Sequence, residues 1–486
     1  MFHFQQTGAY RQIISALGQI LKDFPEDGNP LLKRKIEEEA YNITDNLAKG
    51  LSNLEKSDKN EQMQKSIDGI AGIIALTDLA GQNESKINPV KRELVDKLRV
   101  LQSDLQNFKS RQKKILILSA HMGQGHMTAA KAVSEALRHN YGYDYSVEIV
   151  DFMELLNSLV NLVTKTYYEN SVKFVPSMYK IVYDSSNKNV KIVKLLNQVN
   201  YPFVLSKIKK FFDEKQPDLL ISTFPFWNYL ASEIWKKHTR DAKFISIITD
   251  SITVHNSWVL ADTDYHIVAN EDTRQSLLDM GTPPEKIKTL GFPVKLDFLE
   301  ETARGEFLKK LNLNPKLQTI LFLPTSQGQK KNQKIVKDIL AAGGAAGDRI
   351  NLIIITGRDS KNKPKLEKIA AGCNNVKVIG WTDQMPDFIK TADIVVTKAG
   401  GATVMECIAA GKPMVITSII PGQEEGNAEL IRRYRLGIIS SDKDNIADHI
   451  DYIRKNYKSF QRSINKLSNP KSALQIADFI NDLLQN

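Results

Sequence analysis

Two stretches of this chain place chemically useful residue types at useful spacings. The first, Lys398–Asn427, reads KAGGATVMECIAAGKPMVITSIIPGQEEGN. A β-branched run, Asp393–Thr397, leads into it and reads as a strand buried on both faces, ending at Thr397. Gly400 and Gly401 let the backbone turn sharply and come close to a ligand. The helix predicted over Thr403–Ala410 would begin with free N–H groups pointing outward. Such a start is an anion site by geometry and dipole. Glu406 lies one turn in, within reach of sugar hydroxyls. A second strand, Pro413–Thr417, would deliver Gln423, Glu424 and Asn427 at its C-terminal end, where open α/β sheets bind ligands. Backbone for phosphate beside acceptors for diols suggests a nucleotide sugar.

The second stretch, Ser119–Ala132, reads SAHMGQGHMTAAKA. A short apolar strand precedes it, and Gly123 and Gly125 would form the turn into a helix over Thr128–Leu137. It is not GxGxxG, and a lone GxG is weak. His126, directly after the second glycine, is either a general base or a residue that caps the helix. His121 is a lesser candidate. Asp250 ends a strand predicted over Lys243–Thr249, with His255 and Trp258 following. Its acid could orient His126, meet an acceptor or cap the next turn. Trp381 and Met385 either border a base pocket or pack plainly.

These residues need elements to hold them. The 486 residues imply more than one domain. Residues 1–110 read as helical, with apolar stripes over Tyr10–Leu21, Leu32–Leu51, Asn60–Leu79 and Pro89–Phe108, an up-and-down bundle suited to homo-oligomerisation or docking. Two alternating α/β domains follow, 111–300 and 301–486, joined by a hinge near Lys295–Leu311. Between Phe152 and Phe212, aromatic and aliphatic residues interleave with lysines, as in helices at a membrane interface or packed on a core. The net charge of +10 favours an anionic membrane surface or nucleic acid. No RNA-recognition motif is visible, and nucleic acid is not expected. No long apolar run or cleavable leader is visible, which predicts a cytoplasmic protein, peripheral on the inner face of a membrane. Two cysteines, Cys373 and Cys407, make structural zinc and a disulfide framework unlikely.

The first stretch resembles the donor half of the lipid-glycosylating glycosyltransferases: monogalactosyldiacylglycerol synthases, processive diacylglycerol glucosyltransferases and the lipid I N-acetylglucosaminyltransferase. The first two carry a near-identical TKAGxxTxxE…PGQExGN pattern, and the match extends upstream through Gly380, Trp381 and 383–388. Ser119–Ala132 fits their SxxxGxGHxxAAxA loop, and Asp250, His255 and Trp258 fit their TD…H..W element at the acceptor cleft. The resemblance implies the GT-B architecture, two Rossmann-like domains facing across a cleft, here with an N-terminal helical bundle. It implies an inverting transfer of a hexose from a UDP-sugar to a membrane-lipid hydroxyl such as that of diacylglycerol. His126 would be the base, with Gly123, Gly125, Asp250 and His255 on the acceptor side. Glu406 would hold the ribose, and Gln423, Glu424 and Asn427 the sugar hydroxyls. No metal or cofactor is expected. Relatives usually have several glycines in the loop that here reads PTSQGQKK, with Gly328 alone, which puts phosphate cradling by this loop in doubt. A UDP-sugar epimerase of the same architecture and a nucleotide-sensing scaffold are the alternative readings. Residues 1–80 faintly resemble the small four-helix-bundle proteins linked with ribosomal RNA intervening sequences.

Overall fold

A computed structural model describes residues 34–35, 37–43, 65, 68–73, 99, 112–121, 125–142, 144–151, 180–181, 183–185, 187, 201–225, 228–238, 242–325, 328–343, 349–359 and 362–485. The chain divides into two compact units, residues 1–114 with 141–148, and 115–140 with 149–486. In the first, helical residues 37–43 and 68–73 pack closely. Ala40, Ile43, Ile70 and Ile73 are buried, and a Cβ at Gly69 would lie 2.7 Å from Ile43 Cγ1. The rest of the expected four-helix bundle lies outside the described residues.

The first lobe is a parallel sheet of β1 (Lys113–Ser119), β2 (Tyr145–Asp151), β3 (Leu219–Ser222), β4 (Lys243–Ile247), β5 (Tyr265–Val268) and β6 (Ile287–Thr289), in the order β2-β1-β3-β4-β5-β6. Helices α1 (Gly125–Tyr141), α2 (Tyr201–Lys215), α3 (Asn228–His238) and α4 (Glu271–Asp279) accompany it. Strands such as LLIS of β3 are buried throughout, as sheets covered on both faces require.

The second lobe holds β7 (Gln318–Phe322), β8 (Ile350–Ile355), β9 (Val376–Ile379), β10 (Ile394–Lys398), β11 (Met414–Ser418) and β12 (Gly437–Ile439), in the order β12-β11-β10-β7-β8-β9. All pairings are parallel. Its helices are α5 (Arg304–Lys310), α6 (Gln329–Ala342), α7 (Lys363–Ala370), α8 (Met385–Thr391), α9 (Gly401–Ala409), α10 (Glu425–Tyr434), α11 (Ile446–Lys455), α12 (Tyr457–Asn465) and α13 (Ser472–Gln485). In each sheet the chain reverses direction once, between β1 and β3 and between β7 and β10. Ligands of open α/β sheets bind outside the strand ends at such points.

One apolar cluster joins the lobes: Ala129, Phe292 and Val294 pack with Val404, Met405 and Leu430. The last helix crosses back onto the first lobe. The Phe479 and Tyr265 rings meet edge-on at 5.2 Å, and Asn140 Nδ2 donates to Asp478 Oδ1 at 2.8 Å.

Four elements differ from the sequence reading. Strand β2 was not anticipated, because its half-exposed YSVEIVD lacks a long apolar run. The expected hinge contains α5, whose Arg304 donates to the carbonyls of Pro315, Leu317 and Thr391 and pairs with Asp393 at 3.1 Å. Helices α1 and α9 each begin on a glycine, earlier than periodicity alone locates them, so His126 stands in a helix's first turn.

Candidate active site

The two lobes touch where their glycine-rich stretches end. A Cβ on Gly125 would lie 3.7 Å from the Ala402 backbone nitrogen at the start of α9. One on Gly401 would lie 3.4 Å from the Thr249 carbonyl oxygen, at the end of the β4 segment. One on Gly426 would lie 1.9 Å from the Ser251 carbonyl oxygen, an impossible separation. Backbone therefore meets backbone across the cleft; at Gly125 and Gly401 a Cβ would be in ordinary contact, but at Gly426 only a residue without a Cβ fits.

His126 sits at this contact. Its Nδ1 is 2.7 Å from the Thr223 carbonyl oxygen and 2.8 Å from Thr249 Oγ1. A carbonyl only accepts, so Nδ1 carries the proton and Nε2 keeps the lone pair. The Phe224 ring meets the imidazole edge-on at 5.0 Å, and Trp258 lies at 6.5 Å. Burial pushes the imidazole down to about 4, against the Thr223 carbonyl, which pulls upward. The group is thus neutral at physiological pH, with an unprotonated Nε2.

Asp250 does not orient His126. Its Oδ2 accepts from Trp258 Nε1 at 2.8 Å and its carboxylate accepts the His255 backbone N–H, so it closes its own loop. Burial raises this acid to about 6, while those two donors pull it down. His255 is buried; its Nδ1 accepts from Ser257 N–H at 3.2 Å and lies 2.7 Å from Ser257 Oγ. Gly123 lies outside the described residues. His121, at the end of β1, is exposed, with Nδ1 2.6 Å from the Asp151 carboxylate.

On the donor side, β10 delivers Thr397, whose carbonyl accepts from Thr417 Oγ1 at 3.2 Å, linking the ends of β10 and β11. Gly400 caps α9 from an extended conformation. A residue absent from the sequence-based set lies over it: Lys398 Nζ is 2.7 Å from where a Gly400 Cβ would be. That ammonium donates to Glu424 Oε1, and Glu424 Oε2 accepts the Ile420 N–H at 2.9 Å. Glu424 is buried here and already partnered by Lys398. The sequence pattern contained Lys398, but nothing in it says the side chain folds back over the glycine turn.

Gln423 is half-buried. Asn427 is buried; its Nδ2 donates to the Ala399 carbonyl at 2.9 Å, while its Oδ1 has no partner among the described residues. Ser251 Oγ, in the facing loop, is likewise buried and without a partner among the described residues. Such atoms are costly unless something else hydrogen-bonds them. Glu406 is buried on α9, and desolvation raises its carboxyl to about 7, opposed by the Lys295 ammonium. Trp381 is 57 % exposed, with the Arg358 guanidinium 5.8 Å from its ring centre. The arrangement combines a neutral base on one lobe with a helix start, an ammonium and buried carboxylates on the other.

Two parallel sheets meeting at their strand ends around such a set define a glycosyltransferase of GT-B architecture. The family comparisons agree lobe by lobe: residues 126–294 match the monogalactosyldiacylglycerol (MGDG) synthase family, and residues 319–480 match the glycosyltransferase family 28 C-terminal domain. The processive diacylglycerol β-glucosyltransferase of Bacillus subtilis (strain 168) is 26 % identical over 339 residues, 70 % of this chain and 86 % of that protein. The protein of the same name from Staphylococcus carnosus (strain TM300) is 28 % identical over 330 residues, 68 % of this chain and 81 % of that one. In fold, the chain is similar to Medicago truncatula UGT71G1, solved with UDP-glucose, at TM-score 0.50 and 13 % identity over 77 % of this chain and 98 % of that one. Among the described residues no helix is long and apolar enough to cross a membrane.

Proposed function

We propose that this glycosyltransferase moves a hexose from a UDP-sugar to the hydroxyl of a membrane lipid such as diacylglycerol, with inversion, while resting on the membrane surface. The observation that carries this reading is the imidazole of His126 held at the lobe contact, beside the start of α9. Nε2 takes the acceptor hydroxyl's proton as that oxygen attacks the anomeric carbon. The bond from that carbon to the diphosphate breaks, and UDP leaves with the electron pair. The α9 N–H groups and the Lys398 ammonium meet the charge developing on the diphosphate. Glu406 holds the ribose, Gln423, Glu424 and Asn427 read the sugar, and Trp381 borders the base. On the acceptor side, Gly125 clears the approach to His126, while Asp250 and His255 shape the cleft wall. The lipid part rests on the relatives named as diacylglycerol β-glucosyltransferases.

The test incubates the protein with labelled UDP-glucose, UDP-galactose and UDP-N-acetylglucosamine, with and without diacylglycerol vesicles. Label should appear in lipid, with one UDP released per sugar. An altered sugar nucleotide formed without lipid would instead indicate an epimerase. His126→Ala should leave UDP affinity near wild type and lower transfer by about 10²–10⁴-fold. Full turnover in that variant would remove the base assignment.

A further inference from the structure

A short helical stretch, of which residues 180, 181, 183–185 and 187 are described, touches both lobes at the donor loop. Lys180 Nζ donates to both carboxylate oxygens of Glu425, each at 3.0 Å. Glu425 opens α10 and belongs to PGQEEGN. The Tyr183 ring lies on Gly422: a Cβ there would be 2.8 Å from Tyr183 Cδ1. Gly422 is left-handed, with φ of 82°, so both its conformation and the ring above it require glycine. The same ring meets His255 at 4.8 Å, and His255 donates to the Tyr183 carbonyl. Further on, Asn187 Oδ1 accepts the Asn256 N–H at 2.7 Å, and its carbonyl accepts from Asn256 Nδ2. One stretch thus ties residues 255–256 of the first lobe to residues 422–425 of the second.

We propose that Tyr183, assisted by Lys180, is a positioning residue for the donor loop and therefore determines sugar specificity. This rests on the proposed UDP-hexose donor. The ring fixes Gly422, and Gly422 sets the direction in which Gln423 and Glu424 leave the backbone. Those two side chains face the hexose, while the nucleotide is held elsewhere, by the start of α9 and by Glu406. Loss of the ring should loosen the reading of the sugar and spare the grip on UDP. His255 acts through the same ring, holding its backbone from the acceptor side.

The experiment measures UDP affinity by calorimetry, and KM and kcat for UDP-glucose and UDP-galactose with diacylglycerol vesicles, on the full chain. Tyr183→Ala should raise the KM of the preferred UDP-hexose about tenfold, change UDP affinity less than twofold, and narrow the preference between the two epimers. Tyr183→Phe should behave as wild type, since the ring packs and the hydroxyl has no part in the argument. Lys180→Gln, an exposed change that leaves the core intact, should raise the same KM two- to threefold. A Tyr183→Ala protein with unchanged KM and preference, or with UDP affinity weakened as much as sugar binding, would overturn the proposal. Wild-type protein that uses no UDP-hexose would remove the donor reading and this inference with it, a result distinct from either.

Discussion

At the scale of single residues, the site holds two groups whose burial reverses their usual order of acidity. The carboxyl of Glu406 is raised to about 7 and the imidazole of His126 lowered to about 4, both chiefly by desolvation. A base with so low a value is unprotonated across the physiological range. If it is the essential base, the acidic limb of kcat/KM should fall near pH 4 and not near 6.5. A rate profile from pH 3.5 to 8 checks this, and a limb near 6.5 would remove His126 as the base. Glu406 has a stability consequence of definite sign. Its folded value exceeds the unfolded 4.5, so its contribution is full below 4.5 and is lost as pH rises through about 7. Glu406→Gln removes that loss. Urea unfolding at pH 8 should find the variant more stable than wild type, by at most about 3 kcal/mol, with the difference vanishing near pH 4. The same variant should bind UDP more weakly, because an amide oxygen accepts from ribose hydroxyls less strongly than a carboxylate. A gain in stability with a loss of ligand is the mark of a group buried for binding.

At the scale of elements, the glycines separate what the sequence disclosed from what it withheld. Buried apolar runs gave β4, β10 and β11 nearly to their ends, and the strand-glycine-helix order located Gly400 at a helix start. Gly401 also read as ligand-facing, and a Cβ there would meet the Thr249 carbonyl only at ordinary contact distance. Gly426, not singled out in the sequence, admits the backbone of the other lobe at residues 251–253. That role belongs to a pair of segments more than a hundred residues apart, and a single sequence does not state pairs. The same reason hid Thr223 and Thr249 as the partners of His126. Gly426→Ala should therefore act on the cleft and not on either sheet. Its Cβ cannot coexist with the Ser251 carbonyl, so the start of α10 must move away. Transfer should fall more than tenfold while each lobe stays folded, with a larger radius of gyration by small-angle scattering. Gly437→Ala is the contrasting case, since its Cβ would lie 2.1 Å from the Met414 carbonyl oxygen of the neighbouring strand. It should destabilise the second sheet by about 2 kcal/mol or more and lower the melting temperature.

At the scale of the whole described assembly of sheets, the question is what holds the lobes at this separation. Two kinds of contact cross between them. One is polar and partly exposed: Arg433 Nη1 donates to Asp272 Oδ1 at 2.7 Å, and the Tyr434 hydroxyl donates to Asp272 Oδ2 at 2.5 Å. The other is apolar and continuous, the cluster around Ala129, Phe292, Val404 and Met405, extended by α13 across β5 through Phe479 on Tyr265. Exposed ion pairs are screened by salt and contribute little, whereas burial of apolar surface is insensitive to it. The apolar contact should therefore set the spacing that keeps His126 opposite α9. Hydrogen–deuterium exchange separates the two. Phe479→Ala removes a half-buried ring, at a cost of about 1–2 kcal/mol, so the amides of residues 472–485 should exchange at least several-fold faster. Asp272→Asn should change those amides less than threefold, at low and high salt alike. Were the Asp272 change the larger, the lobes would be held by charge, and transfer would then fall with ionic strength even on uncharged vesicles.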